Sequence, residues 1–197
     1  MTAKSVCKVA VATALAILPL AVSAVEPTGD RVSAVVDAAT VPVTVNNFVA
    51  ADTAGHFSRF IKMAGGINKL VSFREPTPID KQSVVRMNRD TLYSFAVVDI
   101  SKGAKLTLPK TDGRYNSAAI VNENEYTNKV FYEPGTHKLT RDEFDTDYVV
   151  VVVRTLVDSS DPADTKKANE LQDKFRIEAA SSNPYTHPNY DEKSYKA

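Results

Sequence analysis

Tyr148-Val-Val-Val-Val-Val-Arg-Thr-Leu156 decides the fold. A strand with one wet face alternates apolar and polar residues. An unbroken run of five valines instead needs cover on both faces, so this segment reads as an interior strand. Upstream, Leu92 to Ile100 has the same character. Leu92, Ser94, Ala96 and Val98 share one face, and Tyr93, Phe95, Val97 and Asp99 the other. Both faces are largely apolar, which makes a second interior strand.

Shorter strands lie between these two. Ala104 to Leu108 is ended by Pro109 and a Thr111-Asp-Gly113 turn, and Tyr115 to Asn122 follows. After the Glu123-Asn-Glu125 loop, Lys129 to Tyr132 returns, Glu133-Pro-Gly135 turns, and Thr136 to Leu139 continues. Thr140-Arg-Asp-Glu143 has capping-box spacing and predicts a single helical turn. Strands at this spacing, joined by short turns, predict an antiparallel sandwich or barrel. Tyr115, Tyr126, Tyr132 and Tyr148 are expected in its core or rim; an exposed cluster of them would indicate a binding face.

Helices flank the strands. Thr44 is a candidate cap for a helix carrying Val45, Phe48, Phe57, Phe60, Ile61 and Ala64, weak around residues 50–55 and stopped by Gly65-Gly66. Asp161 and Pro162 open a second helix whose narrow stripe is Ala168, Leu171 and Phe175, running to about Ala180. The fold class expected is α+β and β-rich, with one domain over residues 43–180. Residues 25–42 read as a flexible lead-in, and residues 181–197 as a polar tail or truncated linker.

The first segment reads as a targeting peptide. Lys4 and Lys8 precede the short apolar run Val9 to Val22, and Val22-Ser-Ala24 predicts cleavage after Ala24. The apolar run is too short and alanine-rich for a convincing membrane span. Cleavage removes Cys7, so the exported chain has no disulfide and no thiol ligand. All 24 acids follow Ala24 while two lysines are lost, leaving a net charge of −2. That balance, with no basic tract, argues against nucleic acid or an anionic membrane as the main partner. The expected location is periplasmic or extracellular.

Polar density peaks between the apolar segments. Arg74-Glu-Pro-Thr-Pro-Ile-Asp80 is held extended by its prolines, and Arg86-Met-Asn-Arg-Asp-Thr-Leu-Tyr-Ser94 follows. The candidate site is Arg74, Asp80, Arg86, Asn88, Arg89, Asp90 and Tyr93. Guanidinium forks bind carboxylate or phosphate. Asn88 and Tyr93 add neutral donors, and Asp80 or Asp90 could orient the arginines or act as base. The structural alternative is that Arg–Asp pairs pin the proline loop to the sandwich. Arg86 and Arg89 are expected in that structural role, with Arg74 facing a ligand.

Other templates fit worse. Ser94 has no nucleophile elbow, and no glycine loop suits a phosphate. His56, His137 and His187 are the only histidines, and His56 reads as a surface residue of the first helix. No metal and no cofactor are expected.

The Val43-Thr-Val-Asn-Asn-Phe48 stretch, both halves of the polar region, and residues 148–164 together resemble the bacterial family called domain of unknown function 1254. The resemblance implies an immunoglobulin-like β-sandwich with added helices. It implies no established activity. Family members commonly continue into a jelly-roll-like second domain, unknown function 1214, which is expected to be absent here. The function expected is a non-catalytic binding or assembly domain that meets a small acidic ligand. Its expected partners are a second copy of itself or a companion jelly-roll protein. The alternative is a hydrolase of a small anionic or carbonyl compound.

Overall fold

The computed structural model describes residues 34–82 and 86–197. The expected leader and its cleavage site lie outside the described residues. Among the described residues no helix is long and apolar enough to cross a membrane.

A five-stranded antiparallel sheet is the frame. Its order is β2 (Val71–Ser72), β3 (Thr91–Asp99), β8 (Tyr148–Leu156), β5 (Asn116–Asn122) and β6 (Thr127–Phe131). The valine run therefore lies at the centre, with β3 paired to β8 from Thr91↔Leu156 to Asp99↔Tyr148 and β5 paired on its other side. A second sheet holds β7 (Gly135–Leu139), β4 (Ala104–Leu108) and β9 (Arg176–Ala179).

The two sheets share one core. Ala96, Val98, Ile120, Val149, Val151 and Val153 of the larger sheet cluster with Leu106, Leu108 and Leu139 of the smaller, and Phe144 and Phe175 close the gap. The opposite face of the larger sheet is also covered. There Val97 and Val150 meet Phe57 and Ile61 of α1 (Phe48–Ala64), together with Ile67 and Tyr185. Strand period 2 sends successive valines to these two different covers. That explains an unbroken apolar run in an antiparallel sheet.

The helix α1 is continuous through its weak middle and ends at Gly65, whose φ of 71° is left-handed. Val45 lies before it and is almost fully exposed. A single turn, α2 (Arg141–Phe144), occupies the capping-box segment, although the Thr140 side chain makes no capping bond. Asp161 caps α3 (Pro162–Gln172) by accepting from the Ala163 N–H at 2.8 Å.

The second helix is shorter than expected. It stops at Gln172, and Arg176–Ala179 is strand β9 on the edge of β4. Phe175, Ile177 and Ala179 face the core at every second residue, and that alternation outweighs helical spacing.

The expected tail also has structure. Tyr185 is buried, β10 (Thr186–Tyr190) pairs in parallel with β1 (Ala34–Val41), and α4 (Glu192–Tyr195) follows. Its anchor is Asp99, which is fully buried. One carboxylate oxygen accepts from the Ser101 N–H and hydroxyl, at 3.0 and 2.6 Å; the other accepts from the Asn183 N–H and side-chain amide, at 2.7 and 3.0 Å. Burial works against the Asp99 charge, yet these donors outweigh it and hold the carboxyl below its usual range. Three of the tyrosines expected in the core or rim, Tyr115, Tyr126 and Tyr132, are exposed.

Candidate functional site

The proline loop and the start of β3 enclose a cavity of about 310 Å³. Its apolar wall is Phe73, Tyr93 and Phe95. Tyr93 stacks on Phe95 at 5.7 Å, and Phe73 meets Phe95 edge-on at the same distance. Arg154 lies over the Tyr93 ring, 5.8 Å from its centroid. Arg86, Asn88 and Glu75 supply the polar lining.

The expected site residues divide into those at the cavity and those outside it. Arg86, Asn88 and Tyr93 line it. Arg86 is exposed and has no ion pair among the described residues. Its φ is 59°, a left-handed conformation that non-glycine residues rarely adopt. The Asn88 side-chain oxygen accepts from the Asp90 and Thr91 N–H groups at 2.8 and 3.3 Å, which fixes the amide at the head of β3.

The other four lie elsewhere. Arg74, expected to face a ligand, instead donates to the Asn169 carbonyl and to Asp173 at 2.6 Å, bridging the proline loop to α3. Arg89 donates to the Thr77 carbonyl. It does pin the proline loop, but through a backbone oxygen rather than a carboxylate. Asp80 is exposed on the short 3₁₀ turn Ile79–Lys81. The Asp90 side chain is exposed, while its carbonyl accepts from the Val157 N–H at 3.0 Å. Among the described residues, no Arg–Asp pair forms within the stretch. Loop and strand are close enough for main-chain oxygens to take the guanidinium of Arg89.

Residues 67–142 match the model of the family described as Protein of unknown function (DUF1254). The chain carries a DUF1254 segment. That segment contains both halves of the polar stretch and every cavity-lining residue named above. No curated protein matches the chain. Among solved structures, the chain is similar to the crystal structure of the VPA0106 protein from Vibrio parahaemolyticus, with 16% identity and a TM-score of 0.51. The alignment covers 72% of this chain and 39% of that one, so this chain spans well under half of that protein's length. At that identity the likeness concerns the fold alone.

A second polar cluster lies mostly outside the DUF1254 segment. Asp52, His56 and Glu125 place their ligand-type atoms within 4.8 Å of one another. The His56 Nδ1 is 3.1 Å from an Asp52 carboxylate oxygen, and the Tyr195 hydroxyl donates to the other. Burial opposes the Asp52 charge, but the Tyr195 hydroxyl and the His56 ring hold its carboxyl below the usual range; Glu125 is pushed up, by burial first and then by Asp52. Reading His56 as an isolated surface residue misses this cluster. The available signal is Asp52 four residues before His56, one turn away on a helix. Glu125, more than sixty residues further along the chain, leaves no such signal.

Proposed function

We propose that the DUF1254 cavity binds a small organic anion with a flat apolar body, and that the protein is a binding domain. The observation that carries this is an aromatic wall beside Arg86, whose guanidinium has no carboxylate partner among the described residues. A ring can stack on Tyr93 and Phe95 while its carboxylate takes the guanidinium fork. A volume of about 310 Å³ is at the small end of ligand sites. Export with cleavage after Ala24 and an immunoglobulin-like scaffold belong to the same proposal. The hydrolase alternative loses both of its expected bases, because neither Asp80 nor Asp90 lines the cavity.

Phenylacetate is a suitable probe. It should stabilise the full chain against heat, while its neutral amide stabilises it less. Arg86→Gln should weaken phenylacetate binding about tenfold or more, the loss of one charged hydrogen-bonding contact. Equal binding of acid and amide, or binding unchanged by Arg86→Gln, would refute the reading.

A companion domain or second copy is the other half of the proposal. The exposed Tyr115 and Tyr132, with rings 6.2 Å apart, support it, as does the open edge strand β6 beside them. Sedimentation across micromolar concentrations should show self-association that Tyr132→Ser reduces. A single monomeric species for the wild type would count against self-association.

A further inference from the structure

We propose that Asp52, His56 and Glu125 form a site for a divalent transition-metal ion of the zinc class, distinct from the Arg86 cavity. The donor set is one imidazole and two carboxylates, contributed by two elements remote in sequence. Three protein ligands are the usual complement of a zinc site that keeps one position open. Exposed carboxylates often cluster without an ion; here an imidazole a turn along the helix completes a mixed nitrogen and oxygen set that suits zinc better than magnesium or calcium.

The ligand-type atoms of the three residues lie within 4.8 Å of one another. His56 Nδ1 donates to the Asp52 main-chain carbonyl at 3.1 Å, as well as facing the Asp52 carboxylate, so Nε2 is the ring nitrogen left for an ion. With the imidazole neutral, the two carboxylates carry a charge of −2, which a divalent ion balances. The Tyr195 hydroxyl on Asp52 is the kind of outer contact that orients a ligating carboxylate. Tyr195 is itself held by stacking on Phe48, with centroids 5.5 Å apart.

Asp52 and His56 open on a second cavity, of about 280 Å³, between α1 and α4. This leaves room for water or a ligand oxygen on an ion. Arg59 also lines that cavity and opposes a cation, while Glu192 lines it but is paired with Lys196. His187, nearby, is not a fourth ligand. Its Nε2 is 3.2 Å from the Ser58 hydroxyl, and its Nδ1 is 2.8 Å from the Pro188 carbonyl.

Zinc alone is the probe. The full chain, first stripped with a chelator, should bind Zn²⁺ at one-to-one stoichiometry by calorimetry and melt at a higher temperature with it. Glu125→Gln and His56→Ala should each weaken binding about tenfold or more. Cobalt in place of zinc should give a visible absorption band that His56→Ala abolishes. Glu125 is exposed in a turn, so Glu125→Gln remains informative should His56→Ala fold poorly. No stoichiometric Zn²⁺ binding would overturn the proposal. Binding that both variants leave unchanged would do the same, since the ion would then sit elsewhere.

Discussion

Arg114 and Arg86 are the same residue in opposite situations. The Arg114 side chain is 8% exposed and its fork is fully engaged: Asp112 and Asp164 each receive a bond at 2.8 Å, and the Leu156 carbonyl another at 3.0 Å. These contacts tie the β4–β5 turn and α3 to the end of β8. Asp112 is held far below the usual carboxylate range, first by its hydrogen bonds from Arg114; Asp164 is also lowered, by the Asp158 N–H and then by Arg114. Arg86 by contrast is exposed beside a cavity, in a left-handed conformation, without an ion pair among the described residues. A guanidinium whose donors are spent holds the fold, whereas one with spare donors is available to a ligand. Side-chain type does not tell them apart.

The largest effect should come from the engaged side. Arg114→Ala strips two carboxylates of their partner and should cost about 3 kcal/mol, the low end for a broken buried pair because Asp112 is half exposed. Urea unfolding measures it. A loss below about 1 kcal/mol would make Arg114 another surface ion pair and erase the contrast.

Asp99→Asn comes next, at about 2 kcal/mol near neutral pH, since a buried charge-assisted cluster loses half of its acceptors. The pH dependence has a definite sign. The folded pKa of Asp99 lies below its unfolded value of about 3.9. Its stabilisation is therefore present above that value and is lost as pH falls through the folded pKa. The wild type's advantage over Asp99→Asn should shrink below about pH 4. A gap constant with pH would show that the charge is not what matters.

Arg89→Ala should cost only about 1 kcal/mol, because its visible partner is the Thr77 carbonyl rather than a buried carboxylate. A loss of about 3 kcal/mol or more would restore the carboxylate pairing expected from sequence.

The smallest effect is reserved for the open side. Arg86→Gly relieves a left-handed backbone and breaks no visible pair, so stability should stay within about 0.5 kcal/mol or rise slightly. Phenylacetate stabilisation should vanish at the same time. Stability lost along with binding would place Arg86 in the structural class beside Arg114.

The candidate site was legible only as a neighbourhood. Two prolines and a run of charges mark the segment, and three of its seven chosen residues do line the cavity. Which ones could not be read. Arg74 goes to Asp173, about a hundred residues later, and nothing local announces such a partner. The aromatic wall was written as strand faces, with no sign that Phe73 would join it. His56 carried half of its signal in Asp52 and none in Glu125.

The fold divides along the same line. Alternation, valine runs, prolines and the Asp161 cap act within a few residues, so the chain alone placed the strands β3 to β8 to within about two residues and the start of α3, whereas α1 begins at Phe48 after Asn47 rather than after Thr44. Three things depend on contacts between distant segments. The chain after Gln172 becomes strand β9 because β4 offers an edge and the core takes Phe175 and Ile177. The chain after Ala180 is held because Asp99, buried at the end of β3, needs the donors of Asn183. The covers on either side of the valines, a sheet on one face and α1 with Tyr185 on the other, come from elements spread over most of the described chain. Local backbone preference is written residue by residue, whereas the partner of a buried charge or an apolar face is settled only by which surfaces meet.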